Sequence, residues 1–198
     1  MLILFTLIVM AAVVYAMLNE GLLAAVCAAF NVVLAGLVAF GLYEPMAEGL
    51  GDLLKGTALK DTEDALSLAI LFAGAYAAFR FLGAALAPQE LDLPARFQQI
   101  ASGVVGAIAG YFLSGFLVVM ISTLPLSEKF LGYEPTIENI ESPLRRYVPA
   151  DRVWLGLMAY LGHPAVLGSG AEAGTFDPEG TFALRHAKKR RVPEQAVP

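Results

Sequence analysis

Residues 100–124, IASGVVGAIAGYFLSGFLVVMISTL, run without a charge or a proline. As a helix rising about 1.5 Å per residue, this stretch reaches roughly 37 Å, enough to cross a hydrocarbon core of about 30 Å with some tilt. Within it Ser102, Gly106, Gly110 and Ser114 recur at every fourth position, with Gly103, Ala107 and Gly115 beside them. That spacing lines small side chains along one ridge of a helix. In lipid, where burial of apolar surface gives no preference for protein over acyl chain, a small-residue ridge lets a second backbone come close and favours packing there. Ser102, Gly106, Gly110 and Ser114 are therefore the expected helix-packing positions. The rest of the chain is read around this span.

Composition agrees. Of 198 residues, 58% are hydrophobic and 16% charged, against about 45–50% and about 25% in an ordinary soluble domain. The apolar excess lies before Leu124. That portion carries nine acidic residues and only four basic ones, Lys55, Lys60, Arg80 and Arg96; the remaining 74 residues carry nine of each. The single cysteine, Cys27, sits in an apolar run, which excludes an intrachain disulfide and a cysteine-based metal cluster and suits a buried or lipid-facing hydrophobe.

Three further spans precede the ridge. Residues 1–18 are uncharged and long enough to cross; a secretory signal peptide is the competing reading, but the opening MLILFTLIVM lacks the basic flank a signal needs. Asn19-Glu20-Gly21 stops that helix, and a turn so short predicts that residues 22–43 run back beside it as a second span. Asn31, near the middle of that span, is expected to hydrogen-bond a neighbouring helix or to line a solute path. Residues 44–64, broken by Pro45, Gly49, Gly51 and Gly56, read as a polar connection, with Leu50, Leu53 and Leu54 as one amphipathic turn on the membrane surface. Residues 65–87 form the third span. Arg80 lies toward its end, placed to snorkel to the headgroups or to act as a charge inside the bundle. A polar linker, 88–99, leads into the fourth. Short connections predict that each span packs antiparallel to the next.

Residues 125–198 form a polar, Pro- and Gly-rich extension, expected to be mostly irregular. Its one persuasive element is an amphipathic helix over 151–161. Asp151 is its expected cap, and Val153, Trp154, Leu157 and Leu161 are expected on one face. Trp154 suits an anchor at the membrane interface, or the underside of the bundle. Phe176 to Phe182 read as a turn between two short extended pieces, and Lys188 to Arg191 as a solvated basic end.

No catalytic constellation is visible. His163 and His186 are the only histidines, and neither has carboxylate or cysteine neighbours at metal-ligand spacing. There is no phosphate-binding Gly-rich loop; the glycines of 100–124 lie inside an apolar helix and not after a strand. Gly168-Ser169-Gly170 lacks the strand and helix of a nucleophile elbow. The basic run has no interleaved aromatics, so nucleic acid is not an expected partner. No cofactor and no metal are expected.

Four spans, the Asn19-Glu20-Gly21 turn, the polar second connection and the lead Arg96-Phe97-Gln98-Gln99 into a glycine-ridged fourth span together resemble the colicin V production protein family of CvpA-like membrane proteins, over roughly residues 1–125. The tail segments ADRVWLGLM and FDPEGTFALR are similar to extensions of longer members. The resemblance implies a small, non-enzymatic, integral protein of the bacterial inner membrane, linked to toxin production or export and to envelope maintenance, with no catalytic residues to carry over. By the same analogy the tail faces the periplasm. Lys55 and Lys60 on one side balance Arg80 and Arg96 on the other, so the distribution of basic residues does not set the orientation.

The expectation is thus an all-α membrane protein of four transmembrane helices with the irregular tail described. It would act as a scaffold or assembly factor, with the lipid bilayer and either a second copy or another membrane protein as its partners. A solute or ion pathway lined by Asn31 and Arg80 is one alternative. A membrane subunit of a larger complex, docked through the tail, is another.

Overall fold

In a computed structural model, residues 2–57, 61–86, 94–124 and 149–163, together with Phe182, are described. They form five helices: α1 Leu2–Glu20, α2 Leu22–Leu54, α3 Glu63–Leu86, α4 Ala95–Thr123 and α5 Ala150–Leu161. The first four are each long and apolar enough to cross a membrane. Large apolar side chains cover their outer faces, Leu7 and Ile8 on α1, Phe30 on α2, Phe81 on α3 and Val104 on α4 among them. A belt of that kind around all four helices is what lipid requires, since a soluble monomer seldom exposes so much contiguous apolar surface. The protein is an all-α, multi-pass membrane protein. The Phe176–Phe182 turn apart from Phe182 itself, the basic run 188–191, His186 and Gly168-Ser169-Gly170 lie outside the described residues.

The helices do not pack in chain order. α4 lies between α1 and α2, and α2 lies between α4 and α3. α1 runs antiparallel along α4: Leu2 meets Val118, Met10 meets Gly110, Met17 meets Gly106 and Leu18 meets Gly103. α2 and α4 run parallel, Phe40 facing Phe116 and Ala25 near Val105. α1 and α2 scarcely touch although one residue joins them. The reason is local. Gly21 sits at φ 87°, a left-handed backbone that suits glycine, and a Cβ there would come within 2.6 Å of Gln98 Nε2. The first turns of α4 thus approach the Gly21 turn from inside and hold the two helices apart. The expected side-by-side pairing of the first two spans is replaced by a pairing through α4.

α2 continues to Leu54, well past residue 43, so the second connection is much shorter than its prolines and glycines suggest. Pro45 cannot donate to the carbonyl of Gly41, a loss that in an ordinary helix interior costs about 3 kcal/mol. Both residues, however, sit on the exposed side of α2. On the other side Tyr43 and Ala47 are buried, and Gly51, the next position at that spacing, lies against Glu63 of α3. Packing along α3 keeps the helix going through the proline. It ends at Lys55, where Gly56 takes φ 87° and Thr57 donates from N–H and Oγ1 to the carbonyl of Leu54.

In that outer segment Lys55 Nζ meets Asp52 Oδ1 at 2.5 Å. The ammonium holds the Asp52 carboxyl below the usual carboxylate range, and the carboxylate raises Lys55. Both groups are fully exposed, so the shift should show as a titration and not as stability. Lys55→Ala should return Asp52 to an ordinary carboxylate midpoint, read by a carbon-detected NMR titration.

Candidate functional site: a ridge, an ion-paired turn and a filled groove

The fourth span faces two different partners. Its small-residue ridge receives α1. A Cβ on Gly106 would lie 3.1 Å from Met17 Cβ, and one on Gly110 would lie 2.8 Å from the α-carbon of Met10. Backbone meets backbone at Gly110, as a four-residue ridge of small side chains allows. Ser102 and Ser114 are fully buried, and each hydroxyl donates to a carbonyl of its own helix, Ser102 to Gln99 at 3.1 Å and Ser114 to Tyr111 at 2.8 Å. Ser122 and Thr123 do the same with Val119 and Met120. These hydroxyls satisfy their protons locally and leave the ridge free to pack.

At the end where α1 gives way to α2, Arg80 Nη2 lies 2.9 Å from Glu20 Oε1. Arg80 is six residues from the end of α3, and Glu20 is the last residue of α1. The guanidinium expected to reach headgroups therefore finds a carboxylate of its own chain. The side chains are 51% and 36% exposed, so solvent and headgroups screen the pair. Glu20→Gln or Arg80→Gln should lower stability by no more than about 1 kcal/mol, and the exchange Glu20→Arg with Arg80→Glu should recover most of it. Thermal unfolding in detergent checks both. Asn31 is half-buried, lies about 15 Å along α2 from the Gly21 turn, and makes no hydrogen bond to another described residue. The structure does not bring Asn31 and Arg80 together.

Gly115, beside the ridge, receives α5. The carbonyl of Ala150 and the Cβ of Trp154 lie against Gly115, where an added Cβ would stand 2.8 Å from that of Trp154. Across the groove, a Cβ on Gly36 of α2 would stand 2.6 Å from Trp154 Cη2 and 3.2 Å from the Met158 sulfur. Two glycines on two helices thus form a slot the width of an indole. Around it Phe112, Phe116, Phe40, Phe72, Tyr43 and Phe182 make a continuous aromatic cluster: Trp154 meets Phe116 edge-on at 6.0 Å, Phe72 stacks on Phe116 at 3.9 Å, and Phe182 contacts Phe40 at 5.7 Å. Gly115 is eight residues, about 12 Å, from the end of α4, so α5 enters the depth of the bundle and does not lie across its end.

This corrects the reading of Trp154 as an interfacial anchor. The ring is fully buried inside protein. It gains the packing of a large aromatic, but its Nε1–H has no partner among the described residues, a state that costs about 1–3 kcal/mol for a buried donor. Asp151 is likewise not the cap. Pro149 occupies that position, and Asp151 is helical, 5% exposed and within electrostatic reach of Tyr111 on α4. The buried face of α5 is Ala150, Asp151, Trp154 and Met158, whereas Val153, expected on it, is exposed. The sequence reading placed Gly115 beside the ridge and Asp151 at the cap of the tail helix, but did not join Gly36, Gly115 and Asp151 in one site. The available signal was the occurrence of two in-span glycines with one tryptophan in the extension, and only the tertiary structure brings them together.

Among the described residues no three of His, Cys, Asp and Glu are grouped as a metal ion would need. A family model described as "Colicin V production protein" matches residues 3–141. No curated protein and no solved structure matches the chain. The matched region contains α1 to α4, hence both walls of the groove, whereas α5 and Phe182 lie beyond it.

Proposed function

The chain belongs to the colicin V production protein family, and on that premise we propose that it is a non-enzymatic scaffold or assembly factor of the bacterial inner membrane, acting in toxin production or export or in envelope maintenance. The observation that supports this reading is how the bundle interior is filled. The ridge of α4 is occupied by α1 and Gly115 beside it by α5, and the ridge hydroxyls are turned back on their own carbonyls. Such an interior suits holding a shape more than passing a solute. Partners are bilayer lipid and a second membrane protein or copy. Because the Gly106–Gly110 ridge is used within the chain, association would use the outer faces of α2 and α3, where Gly41 and Gly74 have nothing within 4 Å. The tail lies on the periplasmic side by family analogy.

The pathway alternative rests on Asn31 and Arg80, two polar groups within spans. One variant separates the readings. Asn31→Leu with Arg80→Gln should leave toxin export at the wild-type level in a strain lacking the gene, if the protein is a scaffold. Loss of export with normal protein abundance would favour a pathway. Recovery of a stoichiometric partner after mild solubilisation would identify the assembly served.

A further inference from the structure

We propose that α5 is a displaceable latch, a tethered helix that closes the groove between α2 and α4 and leaves it without disturbing the four-helix bundle. Three observations carry this, independently of the scaffold reading. First, the groove is shaped for a large side chain: Gly36 and Gly115 leave a slot that Trp154 and Met158 fill, and neither glycine touches α1. Second, the docked state leaves one group unsatisfied. Trp154 Nε1–H is buried without an acceptor among the described residues, while the membrane interface, where an indole ordinarily settles, offers water and headgroup oxygens. Docking therefore gains apolar contact and gives up a hydrogen bond, so the two positions of the helix are closer in free energy than burial alone implies. Third, α5 is joined to α4 by residues 124–149, a length of chain whose covalent span exceeds that of the groove, and its exposed face carries Val153 and Tyr160.

Release would open a slot between α2 and α4, lined by Gly36, Phe112, Gly115 and Phe116. The same face of α5, with Trp154 and Met158 one helical turn apart, would be freed with it. The latch thus controls access to the groove walled by Gly36 and Gly115.

Trp154 is the chain's single tryptophan, so its emission reports the latch directly. The test uses the full-length protein in lipid nanodiscs. Hydrogen exchange of the wild type should show the amides of α5 exchanging at least about 100-fold faster than those of Phe112 to Val119 on α4. Gly115→Leu and Gly36→Leu should each move Trp154 emission to the red and raise its quenching by acrylamide severalfold, with exchange in α1 and in the facing stretch of α4 unchanged. Should the leucine variants fail to fold, the wild-type exchange pattern decides alone. Equal protection of α5 and α4, or unchanged emission in folded variants, would overturn the proposal and make α5 a permanent part of the core.

Discussion

Gly110→Leu is expected to detach α1 from the bundle. The Cβ alone would stand 2.8 Å from the α-carbon of Met10 and 3.2 Å from Val13 Cβ, so the obstacle is backbone and cannot rotate away. Overpacking a tight site ordinarily costs about 1–3 kcal/mol, and a clash with backbone belongs at or above the top of that range. α1 has little else to hold it, since it packs almost wholly on α4. Gly106→Leu should act in the same direction but less severely, its nearest atoms at 3.1 to 3.3 Å including the movable Met17 side chain. Gly41→Leu and Gly74→Leu are the controls. Both positions face open space and should change stability by no more than about 0.5 kcal/mol. Reversible unfolding in mixed micelles, with denaturing detergent as the variable, measures all four.

The second large effect is expected at Trp154. Truncating a fully buried tryptophan removes about 3–5 kcal/mol of packing in a well-filled core. Here the loss falls on one 12-residue helix, whose other buried residues are Ala150, Asp151 and Met158, with Leu155, Leu157 and Leu161 partly buried against the same core. Trp154→Ala should therefore free α5 almost completely. Limited proteolysis should cut within residues 150–161 of the variant at protease levels that leave the wild type intact. Trp154→Phe keeps an aromatic in the slot and has no N–H to leave unsatisfied, so it should hold α5 far better than alanine does. If the two variants were cut alike, the slot would not be what holds the helix.

These two sites mark the boundary of what local sequence conveys. The Ser102–Gly106–Gly110–Ser114 spacing is a property of one helix, so it announces a packing ridge without any knowledge of its partner. What it cannot carry is which helix arrives. Chain order favours neighbours, yet Gly21 and Gln98 place α4 between α1 and α2. The long α2 was obscured for a similar reason. Pro45, Gly49 and Gly51 are each helix-breaking by propensity, and only contact with α3 on the opposite side outweighs them. Trp154 was ambiguous in principle, because an indole fits an interface and a core equally well until a slot for it is known. Gly36 and Gly115 supply that slot from two helices far apart in sequence. Arg80 was legible as a costly charge near a span end, but its partner Glu20 lies 60 residues away in the chain.

The central claim is that a lipid-embedded bundle is organised around α4, with α1 seated on its glycine ridge. Oxidative cross-linking in native membranes tests it most directly, after Cys27 is replaced by alanine. Val14→Cys paired with Gly106→Cys should form a disulfide nearly quantitatively, since the Cβ at position 106 lies 3.3 Å from the α-carbon of Val14. Val14→Cys paired with a cysteine at Phe30, on the outer face of α2, should not. Efficient α1–α2 cross-linking without α1–α4 cross-linking, or extraction of the chain from membranes by alkaline wash without detergent, would contradict the account.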